Sequence, residues 1–401
     1  MTGALDGVKV LDLSRVLAGP YCTMLLGDLG AEVIKIERPG VGDDTRRWGP
    51  PFAGEDAAYF HSVNRNKRSL SLDLTSSAGQ EVLGQLARRV DVVVHNFQPA
   101  VAERLGADHA ALSRHHARLV YCAISSFGPG GPDADRPGYD VLVQAMGGLM
   151  SITGEPDGPP TKVGVAIVDV VTGLFAMGGI LAALRARDQT GEGQRLDVAL
   201  QDCLASALVN QAQNYLVSGV TPGRMGNAHP NLVPYQPFAA ADGWLVVAGG
   251  NDAMFRRLVA ALDRPQWADD PRFVDNAARV ANRDVLVELL GARIGEASVD
   301  HWLERLGASG IPAGPIRDVG AMLDSPHMRT RGMVTEVEHP LAGRLPMVRN
   351  PLHLEPAAPS IRRPPPTLGE HTDELLREVL GADDARLATW RSAGAFGEEG
   401  R

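Results

Sequence analysis

Asp169 lies between the apolar run Val163-Gly164-Val165-Ala166-Ile167-Val168 and a helix-like run from Val170 to Arg187. A lone carboxylate at such a junction suits two roles. As a helix cap it would accept unpaired first-turn N–H groups. As a nucleophile it would attack an acyl carbonyl and form a mixed anhydride. A helix N-terminus favours the charged carboxylate, and neighbouring glycines could supply backbone donors for an oxyanion. The residues alone leave both roles open.

Other chemistry-bearing groups sit at the ends of expected strands: Arg15, Arg38, Asn96 and Phe97. The turn Arg15-Val16-Leu17-Ala18-Gly19-Pro20 has one glycine followed by proline, so the GxGxxG dinucleotide fingerprint is missing. Glu37 occupies the place of a ribose-binding acid, and Arg38 could meet a nucleotide phosphate; a solvated charge pair is the alternative. Asn64-Arg65-Asn66-Lys67-Arg68 is the densest basic stretch. It could hold phosphates, but by itself it reads as a solvated loop before a strand from Ser69 to Leu74. Cys22, Cys122 and Cys203 form no CxxC pair, and the 11 histidines include no ligand-spaced pair, so no metal site is expected. No GxSxG elbow supports a serine hydrolase.

These groups need a frame. Val8 to Leu13, Ala31 to Glu37, Asp91 to Asn96 and Leu119 to Ser125 read as strands, with helical signals at Tyr21 to Leu29 and Ser77 to Val90. Alternating strands and helices imply βαβ units and a parallel sheet, with ligand at the strands' carboxyl ends. Gln201 to Leu216 reads as one long helix and Thr221 to Pro237 as a linker. A strand at Trp244 to Ala248 then opens a second unit, with helices at Met254 to Leu262, Arg283 to Ile294 and Val299 to Leu306. From about Met333 the chain is Pro-rich and extended, with a helix at Asp373 to Leu380.

The chain has 401 residues, 44% of them hydrophobic and 22% charged, which fits a globular protein with room for two domains. A formal charge of −9 argues against nucleic acid as a partner. The start, Met1-Thr-Gly-Ala-Leu-Asp, has no secretory pattern, and no apolar run is expected to reach membrane-span length. A reducing, cytoplasmic setting is the expectation.

Several stretches, taken as an ordered set, carry a resemblance: VLDLSRVLAGPYCTMLLGDLGAEVIKIERPGVGDDTR, NRNKRSLSLDL, DVVVHNFQPAVAERLG, GYDVLVQAMGGLMSITG and VGVAIVDVVTGLFAMGGILAAL. With them the chain resembles the family III CoA-transferases, the group that includes formyl-CoA and carnitine CoA-transferases and the related alpha-methylacyl-CoA racemases. The resemblance spans residues 7 to about 205 and continues more weakly beyond. It implies an α/β fold in an interlocked, ring-like homodimer. The expected parts are a Rossmann-like large domain (1–220), a small domain with a glycine loop at Gly249-Gly250 (221–330), and a C-terminal segment (331–401) returning to the large one.

The same resemblance makes Asp169, in its VDVVTG context, the acyl-accepting nucleophile. It carries CoA contacts onto Val16, Ala18, Arg38, Leu72, Asn96, Phe97 and Arg104, with Leu17 and Tyr139 beside them. Leu17 stands where the formyl-CoA enzymes have glutamine, and Thr75 where some relatives have a basic residue; both departures argue against a formyl or oxalate substrate. The racemases use the histidine of a Gly-His-Asp motif as base. Here the motif is Gly138-Tyr139-Asp140, and a phenol ionising near ~10 is a poor base at neutral pH. Transfer is therefore expected over racemisation. Racemisation, or CoA-thioester binding without turnover, are the alternatives. GDDTRRWGPPF, AHPNLVPYQPF and DGWLVVAGGND are similar to transferases that use succinyl-CoA with dicarboxylates such as glutarate. Arg15, Arg46, Arg47 and His229 are the candidate cations for a distal carboxylate. No metal or tightly bound cofactor is expected; CoA thioesters and carboxylic acids are the expected small-molecule partners.

Overall fold

The computed structural model of the chain describes residues 3–114 and 116–397; the last four residues of the expected C-terminal segment lie outside that range. The chain divides into two units. The first comprises residues 1–147, 164–209 and 326–401, and the second residues 148–163 and 210–325.

In the first unit, six strands form one parallel sheet: β1 (Lys9–Asp12), β2 (Glu32–Glu37), β3 (Lys67–Ser71), β4 (Val92–His95), β5 (Val120–Ser125) and β6 (Arg195–Ala199). Their spatial order is β3-β2-β1-β4-β5-β6, with Lys9 opposite Glu32 and Val10 opposite Val92. Inner strands covered on both faces need continuous apolar runs, and Val92, Val93 and Val94 are fully buried. The chain winds outward from β1 in one direction and from β4 in the other, so the crevice above their carboxyl ends is the topological switch point, where open α/β sheets bind ligands.

Five helices frame that crevice and its surroundings: α1 (Ala18–Asp28), α2 (Ser77–Ala87), α3 (Asp140–Met146), α4 (Ile167–Thr190) and α5 (Leu200–Ala207). The long helix α4 packs on α1, and Gly173 is what lets them approach: a Cβ there would stand 2.8 Å from the Ala18 carbonyl oxygen. This corrects the expectation that no apolar run reaches span length, because α4, at 24 residues, is long and apolar enough to cross a membrane. Val168, Thr172, Gly173, Ala176 and Ile180 are nevertheless buried within this unit, as in a core helix of a folded domain. Residues 326–401 join the same unit: Leu375, Leu376, Leu387 and Trp390 share one apolar core with Leu11, Ile34, Leu70 and Val93.

The second unit holds a three-stranded antiparallel sheet, Tyr235–Ala239, Trp244–Ala248 and Ala313–Pro315. The helices Asp252–Ala261, Arg283–Ile294 and Val299–Ala308 accompany it, around a core of Phe255, Phe273, Leu290 and Trp302.

Several local expectations need correction. The expected Gln201 to Leu216 helix is broken into α5 and Val209–Ser218, the second opening at Val209 with φ 34°. The supposed linker ends in the strand Tyr235–Ala239. The stretch after Met333 is extended as expected, and its first part pairs as an antiparallel hairpin, Val334–His339 with Gly343–Val348, which was not foreseen. The basic stretch from Asn64 to Arg68 is not a solvated loop: all five residues are buried. Arg65 grips Asp28 at 2.6 Å and Lys67 grips Asp12 at 3.0 Å, and Arg68 meets Glu32, Glu374 and Glu378.

Candidate active site

The loop after β1 turns sharply into α1. Its backbone is pinned from below by a buried ion pair: Lys35 Nζ lies 3.0 Å from Asp43 and donates to the Ser14 carbonyl at 2.9 Å. Asp43 in turn accepts the Val16 N–H at 3.3 Å. Burial pushes the Asp43 carboxyl up, but Lys35 and the Thr45 donors outweigh that and hold it below the ordinary range. Val16 adopts φ 72°, a region that β-branched residues avoid. A strained residue lining a groove marks a place where surrounding contacts override local preference. Beneath it, Asp12 is also fully buried; desolvation raises its carboxyl, while Lys67, Lys35, Ser14 and Thr23 bring it down to about 2.

The loop after β4 is tied to the loop after β1. Asn96 Oδ1 accepts the Arg15 N–H at 3.0 Å, and Asn96 Nδ2 donates to the Arg15 carbonyl at 2.7 Å. His95 orders the next residue: its Nδ1 accepts the Phe97 N–H at 3.1 Å and its ring stacks on Phe97. Burial lowers His95 to about 4, so it is neutral at physiological pH. Its Nε2–H then faces the Tyr121 hydroxyl at 2.7 Å, which donates onward to the Ala107 carbonyl.

Two adjoining grooves open above these strand ends, sharing Arg15, Phe97 and Val101. One, of about 290 Å³, is lined by Val16, Leu17, Ala18, Asn96, Tyr139 and Asp169. Arg136 lies on the same wall. The other, of about 220 Å³, is lined by Arg38, Leu72, Thr75 and Arg104. The guanidinium groups of Arg38 and Arg104 are exposed, and neither meets a carboxylate among the described residues. A groove of mixed polar and apolar lining that holds a carboxylate, joined to a pocket with two arginines, suits a ligand with an uncharged chain at one end and phosphates at the other.

Asp169 sits in the first turn of α4 and not at the cap position, which is Ala166. Its carboxyl is pushed up to about 7, mainly by burial and then by the charge of Asp140. This corrects the expectation that the helix terminus keeps it readily ionised: desolvation and a like charge win. The cap comes from Asp140, whose Oδ1 accepts the N–H of Val168 at 2.8 Å and of Asp169 at 3.3 Å. Tyr59 also senses this corner; burial and then Asp169 and Asp140 push its hydroxyl up to about 12.

The remaining expected residues are spread out. Arg46 is buried and spent on Glu37 and Asp56, each at 2.7 Å, with its guanidinium 3.7 Å from the Phe60 ring centroid. It is therefore not a free cation, and Glu37 is neither a solvated nor a ribose-facing acid. Arg15 is exposed and pairs loosely with Asp44 at 3.3 Å. Arg47 is exposed and lines neither groove. His229, Gly249 and Gly250 belong to the second unit. There the His229 Nδ1 accepts the Asn231 N–H at 3.0 Å, and Gly249-Gly250 follow the strand Trp244–Ala248. Asp140, Tyr59 and Arg136 escaped the sequence reading. Asp140 had a signal, its place after Tyr139 in the Gly-Tyr-Asp motif; Tyr59 had none.

The chain is similar to known proteins in sequence and in fold. The sequence profile of CoA-transferase family III matches residues 5–372. Succinyl-CoA:glutarate CoA-transferase of Homo sapiens is 41% identical, covering 97% of this chain and 89% of that protein. Succinate–glutarate CoA-transferase of Agrobacterium fabrum is 43% identical over 94% of this chain and 95% of its own. A crystal structure of a CAIB/BAIF family protein from Brucella suis superposes with a TM-score of 0.83 at 43% identity, covering 94% of this chain and 100% of that one.

Proposed function

The chain belongs to CoA-transferase family III, and from that premise we propose that it moves CoA from succinyl-CoA to a dicarboxylic acid such as glutarate, with Asp169 as the nucleophile. The supporting observation is the Asp169 carboxylate itself, which lines the switch-point groove and takes no hydrogen bond from any described residue. The donor and acceptor follow the names of the human and Agrobacterium relatives.

The reaction runs in exchanges at one carboxylate. Asp169 attacks the donor thioester carbonyl, the C–S bond breaks, and CoA thiolate leaves an acyl-aspartyl anhydride. The thiolate then attacks the aspartyl carbonyl, expelling the donor acid and leaving an aspartyl-CoA thioester. The acceptor carboxylate attacks that thioester and releases the thiolate again. Thiolate attack on the acceptor's acyl carbon finally forms the new CoA ester and frees Asp169. Each intermediate is prone to hydrolysis, so water must be kept out; the Gly249-Gly250 loop is our candidate for that shield. Val16, Leu17, Ala18, Asn96, Phe97 and Tyr139 would hold the pantetheine end, and Arg38, Leu72 and Arg104 the nucleotide end. For the distal carboxylate, Arg15 is the leading candidate, since it lines the Asp169 groove; Arg47 and His229 are secondary candidates. The active form in this reading is an interlocked homodimer.

Transfer from succinyl-CoA to a panel of acids tests the reading. Glutarate and similar dicarboxylates should be the preferred acceptors, and Asp169→Ala should lower kcat by ~10³-fold or more. Normal transfer by that variant would remove Asp169 from the mechanism. Fast α-proton exchange on a 2-methylacyl-CoA would instead favour racemisation, which Tyr139 in place of histidine argues against.

A further inference from the structure

The reading of Asp169 as nucleophile leaves open what keeps its carboxylate turned to the groove. A carboxylate at the third position of a helix commonly folds back onto the helix's own cap. In α4 the cap residue is Ala166, which has no side chain able to cap, so the first-turn N–H groups need an acceptor from elsewhere. Asp140, 28 and 29 residues away in sequence from the two donors, supplies it through one oxygen. Its second oxygen accepts from Gln144 Nε2 at 2.5 Å, one turn along α3. Both Asp140 and Gln144 are buried, so this acceptor is held rigidly.

We propose that Asp140 is the positioning residue of the nucleophile: it caps α4 from outside the helix, and so leaves the Asp169 carboxylate free to face the substrate. The work that one aspartate often does alone is divided between two. Asp140 holds the helix terminus and Asp169 reacts. The arrangement has an electrostatic consequence, because Asp140 is a like charge beside the nucleophile. Tyr59, from the helix Ala58–Val63, faces that corner and senses Asp43 as well as the two aspartates, and Tyr139, Arg15, Asp44 and Arg136 lie along the groove. Burial contributes most to the raised Asp169 carboxyl, and Asp140 contributes the remainder.

The inference rests on Asp169 being the nucleophile, and the experiment separates the two claims. Wild-type protein, Asp140→Asn and Asp140→Ala are compared for transfer between succinyl-CoA and glutarate from pH ~5 to ~9, with hydroxylamine capture of the Asp169 adduct in parallel. Asparagine keeps an oxygen acceptor for both N–H groups but removes the charge. Asp140→Asn should therefore retain kcat within ~10-fold above pH ~8, while its acidic limb moves to lower pH than in wild type. Asp140→Ala should lose ~10²-fold in kcat at every pH with a smaller change in the KM for succinyl-CoA, since positioning and not binding is lost. An Asp140→Asn limb unmoved from wild type, or an Asp140→Ala variant with wild-type kcat, overturns the inference while adduct formation at Asp169 upholds the nucleophile. Absence of any Asp169 adduct in turning-over wild type overturns both.

Discussion

Ionising Asp169 works against the folded state. Its carboxyl rests at about 7 in the fold, against an ordinary value of 3.8. Unfolded chains therefore lose this proton near 3.8, while the folded protein keeps it until about 7. Between those values the folded state binds more protons, so stability from this group falls as pH rises through the window. The full penalty, up to about 4 kcal/mol at about 1.36 kcal/mol per pH unit, is present above pH ~7. Asp169→Asn should thus be more stable than wild type at pH ~8 and indistinguishable from it below pH 3.8. Denaturant unfolding at the two pH values checks this, and equal stability at the higher pH would mean that the carboxyl is not held up by its surroundings. The same residue scale shows what a one-dimensional reading could see. The type and place of Asp169, Arg38, Asn96 and Phe97 were legible, and all four line the two grooves. The cap was not, because Asp140 reaches α4 across 28 residues of chain. Arg46 looked like a free cation because nothing in its own neighbourhood shows that Glu37 and Asp56 will close on it.

At the scale of elements, apolar runs located β1, β2, β4 and β5, whose residues are largely buried; α4 was located too, but it buries Val168, Thr172, Ala176 and Ile180 and leaves Leu174 exposed. The strand β6 was missed: Arg195 and Asp197 occupy alternate positions of a five-residue edge strand and pair with each other at 3.0 Å, so charge masks the pattern. The basic stretch was misread for a related reason. Lys67 opens β3, and only the assembled fold shows Asp12 beside it. These buried pairs are not surface decoration. Lys35 and Asp43 join the end of β2 to the strained turn before α1, and the turn carries Val16 into the groove. The elements thus position the site through backbone contacts that local sequence cannot reveal.

At the scale of the molecule, the single chain leaves apolar area in water. In the first unit, Leu174 and Phe175 on α4 are 43% and 49% exposed, and Val209 still more. Exposure of this kind marks an interaction surface, and the proposed homodimer would cover it. Light scattering should return twice the 42.6 kDa chain mass, and Phe175→Glu should shift it toward one chain; a monomeric wild type would contradict the dimer. The central claim concerns chemistry, and one measurement reaches it directly. Protein turning over succinyl-CoA is quenched with hydroxylamine, digested, and mapped by mass spectrometry. The account predicts a hydroxamate at Asp169 that requires succinyl-CoA. An unmodified Asp169 in protein that is transferring CoA would contradict it.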